Sequence, residues 1–201
     1  MSLPFGDHLA EHRALFAQLD VLAADVQRAA DRIADALRAG GKVMFCGNGG
    51  SAADSQHLAS EFTGRFVDDR RPLAALALST DSSALTCIAN DYAFDQVFER
   101  QLRGLGRSGD VLVAISTSGR SPNVQRAVLA ARELGITVIG LLGRDGGSIK
   151  ASSDVAIVVP SHTTARIQEA HIFVGHTLCA LVEASLGAWI HSAGRSASQS
   201  T

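Results

Sequence analysis

The chain has 201 residues, 46% of them hydrophobic and 19% charged, with a formal net charge of −2 and a pI near 6.4. That length and balance suit one folded domain with a full core, and the slight acidity gives no support to nucleic-acid binding by charge attraction. Three well-separated cysteines, Cys46, Cys87 and Cys179, with no CxxC pair, argue against a disulfide framework or zinc knuckle and for packed thiols in a reduced, cytosolic chain.

The opening stretch MSLPFGDHLAEHR is too polar for a secretory signal. Residues 7–39 carry apolar positions at helical spacing, so one or two helices precede the first strand. Five aliphatic runs follow: KVMFCG (42–47), LAALALS (73–79), DVLVAIST (110–117), TVIGLLG (137–143) and VAIVVP (155–160). Continuous runs of this kind suit strands covered on both faces. Helical stretches near 51–64, 82–89, 93–106 and 121–135 lie between them, giving a βαβα pattern with a parallel sheet. A long helix over about 162–191 closes the chain. Its stretch 171–190, HIFVGHTLCALVEASLGAWI, is long and apolar enough to pose the question of a membrane span. His171, His176 and Glu183 inside it predict a core or subunit-interface helix instead. The small polar tail, 192–201, reads as disordered. The expectation is a single doubly wound α/β domain over residues 1–191, with a parallel five-stranded sheet and helical extensions at both ends.

Three strands end in glycine and serine turns: GNGGS (47–51), STSGRS (116–121) and GRDGGS (143–148). In open parallel sheets, ligands bind beyond the carboxyl ends of the strands. The second turn delivers Ser116, Thr117, Ser118 and Ser121 into the start of a helix, with Pro122 where a first-turn Pro is tolerated. Hydroxyls, free N–H groups and a helix dipole together make an anion site. The absence of Lys from this turn favours a small phosphoester over a nucleoside triphosphate. In the first turn, Asn48, Gly49 and Gly50 lead to Ser51, which is placed to cap the following helix.

On that helix His57 and Glu61 stand at i, i+4 and share a face. The spacing permits a shared metal, an acid/base pair or a mere surface contact. On the closing helix His176 lies in an apolar stretch. Periodicity aligns it with Glu169 and Glu183, at i−7 and i+7, rather than with Gln168, and leaves its partner open. Asn90 and Asp91 form an ND pair of the kind that marks a turn or a cap.

Four blocks, GNGGSAADSQHLASEFTGR, TCIANDYAF, GDVLVAISTSGRSPNV and ARIQEAHIFVGHTLCALVE, occur in this order between residues 47 and 183, and the resemblance they carry extends over about residues 7–190. In them the sequence resembles the phosphoheptose isomerases of the sugar-isomerase (SIS) family. The resemblance implies a flavodoxin-like SIS fold and conversion of sedoheptulose 7-phosphate into an aldose phosphate through a cis-enediol. It implies Glu61 as the base and His176 as the complementary acid/base. Asn48, Gly49, Gly50 and Ser51 would line the sugar, with Asn90, Asp91 and Gln168 as further substrate contacts. Ser116, Thr117, Ser118 and Ser121 would hold the phosphate. Some relatives bind zinc between subunits through residues matching His57, Glu61, Gln168 and His176, so zinc is the implied cofactor. The family is typically a homotetramer with bundled terminal helices and works in the cytoplasm, with no nucleic-acid or membrane partner implied. One departure is Ala165, where some relatives carry an acidic residue; Thr164 beside it is positioned to replace part of that contact. Two non-catalytic readings compete: an SIS adaptor that binds a replication initiator, and a sugar-phosphate-sensing module. The serine turn suits a sensor as well as an enzyme, whereas Glu61 with His176 distinguishes the isomerase.

Overall fold

The computed structural model describes residues 4–187 and 190. The five apolar runs become parallel strands: β1 (Val43–Cys46), β2 (Ala75–Ala77), β3 (Val111–Ser116), β4 (Thr137–Gly143) and β5 (Val155–Val159). They form one sheet in the order β2-β1-β3-β4-β5, with every ladder parallel. Every residue of β1 and β3 is buried, the burial that a parallel sheet with helices on both faces imposes. β2 keeps three of its seven expected residues. As an edge strand it pairs only with β1, and its flanks contribute single bonds from Val43 to Ala74 and from Leu78 to Phe45.

The helices are α1 (Pro4–Phe16), α2 (Ala23–Arg38), α3 (Gly50–Thr63), α4 (Ser82–Asp91), α5 (Val97–Leu105), α6 (Pro122–Glu133), α7 (Gly147–Lys150) and α8 (Thr164–Leu186). Side chains alternate across each strand, which divides the interior in two. Val43, Phe45, Val111, Val113 and Ile115 join α1, α2, α3 and α8 in one core. Met44, Cys46, Leu112 and Ala114 join α5 and α6 in the other. α8 ends at Leu186, short of the expected 191, where Gly187 at φ +40° leaves the helical conformation and its N–H closes on the Glu183 carbonyl. Beyond it only Ile190 is among the described residues, and the tail 192–201 lies outside them. No helix among the described residues is long and apolar enough to cross a membrane.

Two features position the site. The first is the reversal of strand order between β1 and β3, which opens a crevice at their carboxyl ends. The turns leaving these strands are tied by a reciprocal amide pair, Asn48 Nδ2 to Asn123 Oδ1 and Asn123 Nδ2 to Asn48 Oδ1, each 2.8 Å. The second is the packing of α3 along α8. Gly175 makes the approach possible, since a Cβ there would stand 2.6 Å from the Leu58 methyls. Gln168 rests on Gly50 and His176 meets His57, so the two helices advance side by side in the same direction.

Candidate active site

The serine turn is largely satisfied within the chain. Ser116 is buried at the end of β3; its Oγ lies 3.0 Å from Ser121 Oγ and 3.5 Å from Ser118 Oγ, and it accepts the Gly119 N–H. Ser118 Oγ accepts the Arg120 N–H. Ser121 occupies the N-cap of α6 without making a side-chain cap bond, so its hydroxyl stays with the serine cluster. Thr117 lies half-buried beside them. The third glycine turn stands behind this one as a buttress. The Ile149 N–H donates to the Gly119 carbonyl at 3.1 Å, and Arg120 forks onto Asp145 at 2.9 and 2.6 Å. Any Cβ on Gly119, which has φ +64°, would collide with the Gly146 carbonyl, so only glycine fits. The Arg120 guanidinium, aided by the Gly147 N–H, holds the Asp145 carboxyl well below the usual range.

The first turn differs from expectation at Ser51. The Ser51 and Ala52 N–H groups already bond the Asn48 and Gly49 carbonyls, so Gly49 is the N-cap. Ser51 is buried within α3, its carbonyl accepting Ser55 Oγ at 2.7 Å.

Further along α3 the chemistry gathers. His57 Nε2 lies 2.9 Å from His176 Nε2 and 3.4 Å from Glu61 Oε1. One atom from each of His57, Glu61 and His176 falls within 4.8 Å of the others. This settles the partner that helical spacing left open. Glu169 is engaged by His12 at 2.8 Å and Arg166 at 2.7 Å, and Glu183 by Arg70, so His176 turns to the neighbouring helix. The Phe66 ring stacks on His176, with centroids 5.5 Å apart and 29° between planes. The cluster is open on one side, where the His57 side chain is 47% exposed.

Asp54 is a member that sequence reading missed. Its Oδ2 is buried with no hydrogen-bond partner among the described residues. Burial raises its pKa, and His57 and then His176 oppose the rise. The available signal was its place three residues before His57 and seven before Glu61, on the same helical face.

Other expected residues stand apart. Gln168, two turns before His176, lays its amide against Gly50. Asn90 and Asp91 belong to the exposed last turn of α4 rather than to a following loop. They bond each other at 2.8 Å, and Cys87 donates to Asp91. Among the described residues no hydrogen bond joins them to the serine turn or to the histidine cluster. Ala165 is exposed in the first turn of α8. Of the thiols, Cys46 and Cys179 are buried and pushed up to about 12, whereas Cys87 is exposed, not packed. His171 is a core residue: its Nε2–H donates to the Leu142 carbonyl at 3.0 Å, and burial pulls it down to about 4.

Two imidazole nitrogens and a carboxylate oxygen form a donor set suited to zinc. The same groups can exchange protons with a substrate held nearby. The Asn48–Asn123 pair ties the turn that leads to this cluster to the serine turn.

The profile of the SIS domain family matches residues 7–143. A phosphoheptose isomerase from Rhodospirillum rubrum is 55% identical over 171 residues, covering 85% of this chain and 91% of that one. Two solved structures share the fold. The phosphoheptose isomerase of Neisseria gonorrhoeae has 49% identity and a TM-score of 0.85, over 90% of this chain and 97% of that one. The one from Francisella tularensis has 34% identity and a TM-score of 0.87, over 90% and 96%.

Proposed function

We infer, from the chain's belonging to the SIS domain family and within it to the phosphoheptose isomerases, that it converts sedoheptulose 7-phosphate to D-glycero-D-manno-heptose 7-phosphate. The product would feed the nucleotide-activated heptoses used in lipopolysaccharide and other surface glycans. The observation that carries this reading is the placement of Glu61 and His176 in one cluster along the helix that begins at the glycine turn.

Moving a carbonyl from the second carbon to the first requires removal of a carbon-bound proton, a cis-enediol, and a proton donor at oxygen. Glu61 takes the proton and returns it to the neighbouring carbon; His176 exchanges the proton on oxygen. Asn48, Gly49, Gly50 and Ser51 line the sugar, with Gln168, Asn90 and Asp91 as further hydroxyl contacts. Ser116, Thr117, Ser118 and Ser121, with the N-terminus of α6, hold the phosphate. Neutral donors suffice there because the helix dipole supplies positive potential.

His57, Glu61 and His176 would hold a zinc ion; Gln168, which rests on Gly50 two turns from His176, would join such a site only from a second copy of the chain, as in a site between subunits. When bound, such an ion polarises carbonyl and hydroxyl oxygens as a Lewis acid. A carboxylate bound tightly to metal is a poorer base, so the two uses of Glu61 oppose one another.

The open side of the cluster and the exposed Phe5, Val21 and Phe173 favour self-association; with the resemblance to the phosphoheptose isomerases, the reading is a homotetramer acting in the cytoplasm as one SIS domain over residues 1–191. A groove lined by Phe16, Leu19, Leu22, Val26 and Phe173 adds to this face. A non-catalytic adaptor or sensor has no use for the paired base and imidazole.

The test is an assay of purified protein with sedoheptulose 7-phosphate, with and without a chelator. Aldose phosphate formation is expected. Loss of turnover in chelator assigns a working metal, and full retention leaves Glu61 free as base. A wild type inert on ketose phosphates under both conditions overturns the reading.

A further inference from the structure

A buried ion pair joins the two helices that carry Glu61 and His176. The Arg70 and Glu183 side chains are 1% and 5% exposed, with Arg70 Nε 2.5 Å from Glu183 Oε1. The other two guanidinium nitrogens meet carbonyls at the end of α3: Glu61 at 2.7 Å, Phe62 at 2.9 Å and Gly64 at 3.3 Å, with Arg71 at 3.1 Å. The last carbonyls of a helix lack intrahelical partners, and a cation there opposes the negative end of the dipole. Glu183 lies seven residues beyond His176 on the same face of α8. Its carboxylate accepts the N–H groups of Phe66 at 3.1 Å and Val67 at 3.2 Å. Burial alone would raise the Glu183 pKa; the Phe66 N–H, the Arg70 fork and the Val67 N–H outweigh it and hold the group below its ordinary value.

We propose that Arg70 and Glu183 are positioning residues for the isomerase. The pair fixes the backbone of Glu61 at the end of α3 and presses Phe66 onto the His176 ring, so the base and the imidazole keep one relative geometry. This rests on the functional reading above. The planar fork is what the role demands, because one ammonium cannot span a carboxylate and the carbonyls of a helix end together.

The test uses full-length Arg70→Lys and Phe66→Leu, with kcat and KM on sedoheptulose 7-phosphate and the NMR signal of isotope-labelled His176. The wild-type ring should show a ring-current shift from Phe66. In Arg70→Lys that shift should collapse and kcat should fall about tenfold to a hundredfold, with KM within about twofold. Phe66→Leu should remove the shift and lower kcat to a lesser degree. A purely structural pair would lower the unfolding temperature while kcat and the His176 signal stay as in wild type, which overturns the proposal. If Arg70→Lys does not fold, Phe66→Leu decides: unchanged kcat then overturns it. A shift that collapses in Arg70→Lys, in a protein whose wild type is inert on ketose phosphate, would uphold the positioning and reject the isomerase instead.

Discussion

The serine turn, at the carboxyl end of β3, and the histidine cluster, two to three turns along α3, are built on opposite plans. The turn closes on itself: its hydroxyls bond one another, its backbone is pressed against the third glycine turn, and Arg120 ties it to Asp145. The cluster stays open, with His57 half exposed and Asp54 Oδ2 without a hydrogen-bond partner among the described residues. On the proposed function the turn holds the phosphate, a group that is the same on every sugar phosphate, so a preformed cradle would serve it. The reacting carbons need groups free to gain and lose protons, and bonds that satisfied them fully would hold them in one state.

If this division is sound, damage to the cluster appears in turnover. Glu61→Gln keeps shape and hydrogen bonding but loses the base, so kcat should fall by about a hundred- to ten-thousandfold. His176→Asn should fall in the same range. The double variant should lose less than the product of the two, since groups acting as a unit are non-additive. Steady-state assays with folding checked by circular dichroism decide it. Near-wild-type turnover in both single variants would mean that the active site has been misplaced.

The next effect separates two histidines of one helix. His171 is neutral in the core, and protonation would add a Nδ1–H where no partner exists among the described residues. Its folded value of about 4 lies below the ordinary 6.5. The unfolded chain therefore takes up the proton first as pH falls, and the folded state loses stability from about pH 6.5 down to about pH 4. The loss should be on the order of 3 kcal/mol per chain. Urea unfolding at fixed protein concentration should show this slope in wild type and a flatter one in His171→Leu. Equal slopes would count against the assignment.

The smallest effect belongs to the turn. Replacing Ser116, Ser118 and Ser121 together with Ala should raise KM roughly tenfold to a hundredfold, the worth of a few hydrogen bonds, with kcat and folding little changed. A fall in kcat at constant KM would erase the contrast between the two regions.

The strands were legible because a sheet covered on both faces demands continuous apolar runs, and the observed strands lie within the runs from residues 42 to 160. The site was legible where chemistry follows local spacing, as for His57 with Glu61. It was illegible where tertiary packing decides. Nothing along the chain says that His176 turns from Glu169 and Glu183 toward His57. Nor does it say that a DDRRP run hides the arginine closing α3. Ser51 misled because backbone bonds from Asn48 and Gly49 close the turn before a hydroxyl is needed. The third glycine turn read like a ligand site, yet it supports the second.

The side-by-side course of α3 and α8 also acts as a gear train. Gln168 meshes with Gly50, His176 with His57, and Glu183 with the loop at Phe66. One residue inserted between Gln168 and His176 would turn everything beyond it by about 100°, carrying His176 and Glu183 away from their partners at once. Changes in chain length can therefore be absorbed in the connections between elements, whereas these two helices must keep a fixed count between their matched teeth.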